Sequence, residues 1–258
     1  LKIGHGLLIN TERKEKKVIF SVIGLICAMG FFLFGLGRAQ GAENVTSLTA
    51  DILHAYGGRK VLENVRSVYM KGKIRAFAFD DKGTYEYYLK RGRKLRVNVR
   101  YTRSTEERIL KGNKGYESSG AGFTLVSGER YLGVLYQYKQ IDLPYSLLND
   151  EYKISYQGKE DVSGRKAYVL GLDSAEGPYM TIYVDAKSFF IIKVSGLFSM
   201  GSATMTLSAE FSDFRKVQGI MLPYQINNFA GNQKIAETAV EKYEINRDIE
   251  DSLFQPRH

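Results

Sequence analysis

From Ser67 onward apolar and polar residues take turns along the chain. Val68, Met70, Ile74 and Ala76 fall on one side and Tyr69, Lys71, Lys73 and Arg75 on the other. A period of two places alternate side chains on opposite faces of a strand. Asp80 to Gly83 supplies turn chemistry, and Tyr85, Tyr87 and Leu89 then return against Thr84, Glu86 and Lys90. After Gly92, Leu95, Val97, Val99 and Tyr101 oppose Arg96, Asn98 and Arg100. Shorter runs at 108–111, 116–118, 152–156, 167–172, 180–184, 190–194, 204–211, 225–229 and 234–245 continue the pattern. Glycine turns such as 161–165 (DVSGR) and 230–232 (AGN) join them. The pattern predicts one antiparallel sheet of about ten or eleven strands, oily on one face and polar on the other.

Two stretches break the alternation. Leu48, Ile52, Ala55 and Tyr56 recur at helical spacing and stop at Gly57-Gly58, with a further turn expected over 59–64. Over 131–141, Tyr131, Leu132, Val134, Leu135, Tyr136, Tyr138 and Ile141 cover nearly every side of a helix that Pro144 ends. A helix apolar all round needs apolar surroundings on more than one side.

A sheet of this width twists and curls, so its oily face becomes concave. The two helical stretches are the coverings available, and they offer little area against so many strands. The expectation is a cavity for hydrocarbon chains, plugged or lidded by helices, although the same alternation also suits an ordinary filled core. At about 0.8 kcal/mol per buried methylene, an acyl chain of roughly 16 carbons offers on the order of 10 kcal/mol before ordering costs. Inward strand parity or lid position selects Met70, Ile74, Tyr87, Leu89, Val97, Val99, Leu132, Leu135, Ile182, Met205 and Leu207 as the ligand-binding residues.

The first forty residues carry a different signal. Arg13, Lys14, Lys16 and Lys17 precede an uncharged apolar run over 18–36, and Ala39 and Gly41 supply the small residues that signal peptidase requires before Ala42. Residues 1–41 therefore read as a secretory signal, or as a membrane anchor over 18–37, with 42–258 as a single domain. In both cases the positive-inside tendency sends that domain out of the cytoplasm, and the expected location is the periplasm.

Composition narrows the chemistry. The 258 residues hold one Cys, Cys27, and three His, His5, His54 and His258, which exclude a disulfide scaffold and leave no multi-ligand Cys/His metal site. His54 has no nucleophile beside it in the pattern, and 120–122 (GAG) lacks the lysine and the strand-to-helix setting of a phosphate loop. No enzyme and no cofactor is expected. The formal charge of +9 falls to +5 without residues 1–41, too even a distribution for nucleic acid. The densest basic row, Arg91, Arg93, Lys94, Arg96, Arg100 and Arg103, is expected on a solvated outer face.

Four stretches carry a family likeness: 56–70 (YGGRKVLENVRSVYM); 158–170 (GKEDVSGRKAYVL) with 180–193 (MTIYVDAKSFFIIK), where Asp185 begins a turn; 211–223 (FSDFRKVQGIMLP); and 244–256 (EINRDIEDSLFQP). In them the chain resembles the LolA/LolB-like family of periplasmic lipoprotein carriers, especially its outer-membrane lipoprotein-sorting relatives. The resemblance implies a mainly β (α+β) half-barrel whose concave face is closed by helices. It also implies a monomeric carrier or chaperone that takes acyl chains of lipoproteins or other lipids from an inner-membrane donor and passes them to an outer-membrane acceptor. The alternative it leaves open is an envelope-stress sensor or interaction module built on the same fold.

Overall fold

The computed structural model describes residues 45–256 apart from 120–121 and 201–202. The expected signal or anchor, and with it the division at residue 41, lies outside the described residues. Where the sequence alternates, strands form, and the described residues make thirteen rather than ten or eleven. They are β1 (Ser67–Ala76), β2 (Asp81–Lys90), β3 (Lys94–Tyr101), β4 (Thr105–Lys111), β5 (Lys114–Ser119), β6 (Gly122–Val126), β7 (Lys153–Val162), β8 (Arg165–Asp173), β9 (Met180–Asp185), β10 (Ile191–Met200), β11 (Ala203–Val217), β12 (Ile220–Ala230) and β13 (Gln233–Ile245). The unexpected β6 is short, and the glycines at 120 and 122 break the sequence pattern before it. β11 and β12 extend well beyond their predicted bounds: Asp213, at φ 52°, interrupts the pairing locally, but Ser212↔Gln225 and Phe214↔Pro223 on either side keep one register, so the strands continue to Val217 and from Ile220. Gln218 and Gly219, both at positive φ, then make the tight turn between them.

Every neighbouring pair is antiparallel, and all but one are consecutive in sequence. The exception, β1 against β13, joins the meander β1–β6 to the meander β7–β13 and leaves β6 and β7 as the two free edges of an open sheet.

The helices are α1 (residues 45–55), α2 (Arg59–Glu63) and α3 (Gly128–Asp142), with 3₁₀ turns at Tyr145–Leu148 and Asp251–Phe254. None in the described residues is long and apolar enough to cross a membrane. The 15-residue α3 touches β4 and β5 on one side and β10 on the other. In a flat sheet, β4 and β10 would be seven spacings of about 4.8 Å apart, roughly 34 Å, whereas a helix of this length reaches about 22 Å. Contact on both sides therefore requires a strongly curled sheet with α3 spanning its hollow. Two glycines permit the approach: a Cβ on Gly196 would lie 2.8 Å from the Tyr136 ring, and one on Gly115 would lie 3.1 Å from the Tyr131 ring. The Tyr136 hydroxyl then donates to the Leu207 carbonyl at 3.1 Å, fastening the middle of α3 to β11.

The main core fills part of the concave side, where α1 contributes Leu48, Ile52 and Leu53 and the turn after it contributes Tyr56. The convex side has a small core of its own. Ile109, Ile249 and Phe254 are buried there with Tyr88, Tyr116, Phe123 and Leu253 packed around them. This corrects the expectation of a uniformly solvated basic face. Arg96 does point outward, but it is only 7% exposed because the C-terminal segment covers it. Its Nη1 donates to the Leu253 carbonyl at 3.1 Å, its Nε to Asn98 at 2.9 Å, and its Nη2 pairs with Glu107. Lys90 and Lys94 both reach Asp251, at 2.8 and 2.7 Å. Arg100 and Arg103 remain exposed, as expected.

Candidate functional site

The oily positions of the curled sheet do not all meet one another. At the β2–β3 turn end of the half-barrel, Leu89, Leu95 and Val97 are completely buried in packed core. Toward the β1–β2 and β12–β13 turns the same faces surround a cavity of about 560 Å³. Most of its sheet wall is apolar, with Met70, Ile74 and Ala76 from β1, Val99 from β3, Val194 from β10, Leu207 and Phe211 from β11 and Ile226 from β12, interrupted by Ser208, Asn228 and Thr238. Phe79, in the β1–β2 turn, is 67% exposed and also lines it, so the cavity reaches the surface there. The volume lies within the roughly 300–1,000 Å³ of small-molecule sites.

The helical wall has another character. Arg130, Gly133, Gln137 and Gln140 all line the cavity, and their spacing of three, four and three puts them on one stripe of α3. Tyr136 and Ile141 flank that stripe. Below its N-terminal end sit three more charged lining residues, Glu106 and Arg108 from β4 and Glu117 from β5. Arg130 donates twice to one Glu117 oxygen, at 3.0 and 2.7 Å. Arg108 donates to Glu106 at 3.0 Å and lies 3.9 Å from Glu117. The four form an alternating chain of charges at the edge of the hollow.

Tyrosines make the transition between the two walls. Tyr87 and Tyr243 share a hydrogen bond, and Tyr243 donates onward to the Pro223 carbonyl at 2.8 Å. Burial holds both phenols well above their ordinary range, so they stay protonated. Burial also pushes Tyr85 up to about 12, although Arg108 and a 3.3 Å hydrogen bond from Gln137 Nε2 oppose it. The Gln137 Oε1 is buried and has no hydrogen-bond partner among the described residues. At the far end of α3, Asp142 is buried, and burial pushes its carboxyl up to about 7 against the pull of Arg91. Among the described residues no group of His, Cys, Asp and Glu is arranged to hold a metal.

Five of the eleven residues selected from the sequence, Met70, Ile74, Tyr87, Val99 and Leu207, stand on the cavity wall. Leu89, Val97, Leu135 and Ile182 are buried in the solid part of the core instead, and Leu132 is half-buried against it. Met205 shares the inward parity of Leu207 two residues earlier on β11, but it is 37% exposed. Parity identifies the face of a strand and not the position along it, and here the position separates hollow from filled. Arg130, Gln137 and Gln140 escaped the sequence reading. With Gly133 they are spaced three, four and three apart in the chain, but the dense apolar residues around them mark the other sides of the helix as the buried ones.

No protein-family model matches the chain, and no curated protein matches it by sequence. Solved structures do match. A DUF1329 family protein from Desulfovibrio piger aligns at TM-score 0.56 and 13% identity over 82% of this chain and 97% of its own. An outer membrane lipoprotein-sorting protein domain from Vibrio parahaemolyticus aligns at 0.55 and 12% over 84% and 96%. A LolA superfamily protein from Nitrosomonas europaea aligns at 0.53 and 14% over 79% and 96%. The chain thus has a LolA-like fold, a curved open sheet with helices on its concave side.

Proposed function

We propose that this LolA-like half-barrel is a carrier that shelters the acyl chains of a lipid or lipoprotein in its cavity and hands them to a partner in the cell envelope. The observation that carries the reading is the unfilled end of the half-barrel, a largely apolar sheet wall around about 560 Å³ that reaches the surface beside Phe79. At about 30 Å³ per small group, the share of a water molecule in the liquid, such a volume accommodates on the order of one to two dozen methylenes. Each methylene moved from water contributes about 0.8 kcal/mol, enough to hold a chain and still release it to a tighter acceptor. The apolar run over 18–36 behind its basic cluster supports a periplasmic location, either free or tethered. An inner-membrane donor and an outer-membrane acceptor, with the carrier as a monomer between them, complete the reading. Among the described residues the cavity supplies no activated nucleophile, so the reading assigns α3 the part of a lid and assigns no catalytic residue.

Native mass spectrometry of the purified protein, followed by organic extraction, tests the proposal alongside titration with a fluorescent fatty-acid probe. The expected result is co-purified lipid and saturable probe binding, which Leu207→Trp weakens at least tenfold by filling the cavity. Ligand-free protein that refuses the probe would sink the reading.

A further inference from the structure

One end of the cavity, made by α3 with β4 and β5, is polar and charged although most of the other strand residues around the ligand space are apolar. Hydrocarbon alone gives no use for Arg130, Gln137 and Gln140 on the one stripe of α3 that faces the hollow. Nor does it explain why Glu106, Arg108 and Glu117 line the same end. Those carboxylates and guanidiniums alternate in space as Glu106, Arg108, Glu117, Arg130, linked by contacts of 3.0, 3.9 and 2.7 Å. The set carries two positive and two negative charges. A purely anionic or purely cationic group entering it is attracted by one sign and repelled by the other. A group that carries both signs exchanges partners with the existing pairs and leaves no charge uncompensated.

We propose that the cavity selects an amphiphile with a zwitterionic, phosphoethanolamine-like head. Its phosphate sits between Arg108 and Arg130, its ammonium faces Glu106 and Glu117, and its chains lie against the apolar part of the sheet wall. The assignment rests on the carrier reading and adds to it the class of headgroup.

Competition against the fluorescent fatty-acid probe tests it, with three lipids of identical acyl chains: a diacyl phosphoethanolamine, a diacyl phosphoglycerol and a diacylglycerol. The phosphoethanolamine lipid is expected to displace the probe at a concentration about tenfold or more below the other two, the order that a charge-assisted hydrogen bond contributes. Arg108→Met should reduce that advantage. Paired Glu106→Gln and Glu117→Gln should transfer the preference to the phosphoglycerol lipid. Equal displacement by all three lipids, a wild-type preference for phosphoglycerol, or an unchanged ranking in the variants overturns the headgroup assignment while the probe binding upholds the carrier. A protein that binds no probe at all overturns both.

Discussion

Replacing Asp142 by Asn should stabilise the protein at alkaline pH and do little at acidic pH. Asp142 is the last residue of α3, where the exposed carbonyls of the helix disfavour a negative charge. It is 4% exposed, and its Oδ1 has no hydrogen-bond partner among the described residues. Burial is the largest influence on it. Arg91 opposes burial, Glu151 reinforces it, and a hydrogen bond with Tyr138 opposes it, with the carboxyl ending at about 7 against an ordinary 3.8. A carboxyl raised in the folded state binds its proton more tightly there than in the unfolded chain. Its favourable effect is complete below about 3.8 and is lost as pH rises through about 7. Each pH unit across that window is worth about 1.4 kcal/mol, so the ceiling is about 4 kcal/mol and the share between pH 5 and pH 8 is about 3 kcal/mol. The amide keeps the shape of the carboxyl, can accept from Tyr138 and never ionises. Urea denaturation of both proteins at pH 5 and pH 8 measures the difference. The variant should gain on the wild type by up to about 3 kcal/mol more at pH 8 than at pH 5. An effect of Asp142→Asn that is equal at both pH values would refute the reasoning, because it would mean that the carboxyl is either already ionised or never ionised across the range.

Two further outcomes follow from packing. Phe254→Ala should cost about 3–5 kcal/mol, measured by urea denaturation, because Phe254 is fully buried at the centre of the convex core. Acyl-probe binding on the opposite face should be retained. Gly83→Ala should destabilise the protein by several kcal/mol in thermal unfolding, since the new Cβ would sit 1.9 Å from the Arg100 carbonyl oxygen and backbone would have to move.

Some of the cavity was readable in the chain and some was not. The alternation at Met70, Ile74, Tyr87, Val99 and Leu207 determines which face each occupies, because side-chain direction in a strand is a local property. The same local rule placed Leu89, Val97 and Ile182 on the inward face, and inward they are. It carries no information about which inward residues meet another side chain and which meet empty space. Likewise the basic row around Arg96 points outward as its parity requires, and only the return of the chain through Ile249 and Phe254, some 150 residues later, decides that Arg96 is covered.

The amino-acid sequence by itself determined most of the strands, though not β6 or the full lengths of β11 and β12, together with the two principal helices and the curl that a wide twisted sheet imposes. These depend on period, on turn residues and on composition, all of which act over a few neighbouring positions. The tertiary structure alone decided that β1 and β13 close the two meanders into one sheet, that Gly115 and Gly196 let α3 span the hollow, and that the stripe of α3 turned inward is Arg130, Gly133, Gln137 and Gln140. Those outcomes depend on contacts between segments far apart in the chain, where the space left over is fixed by how distant surfaces fit.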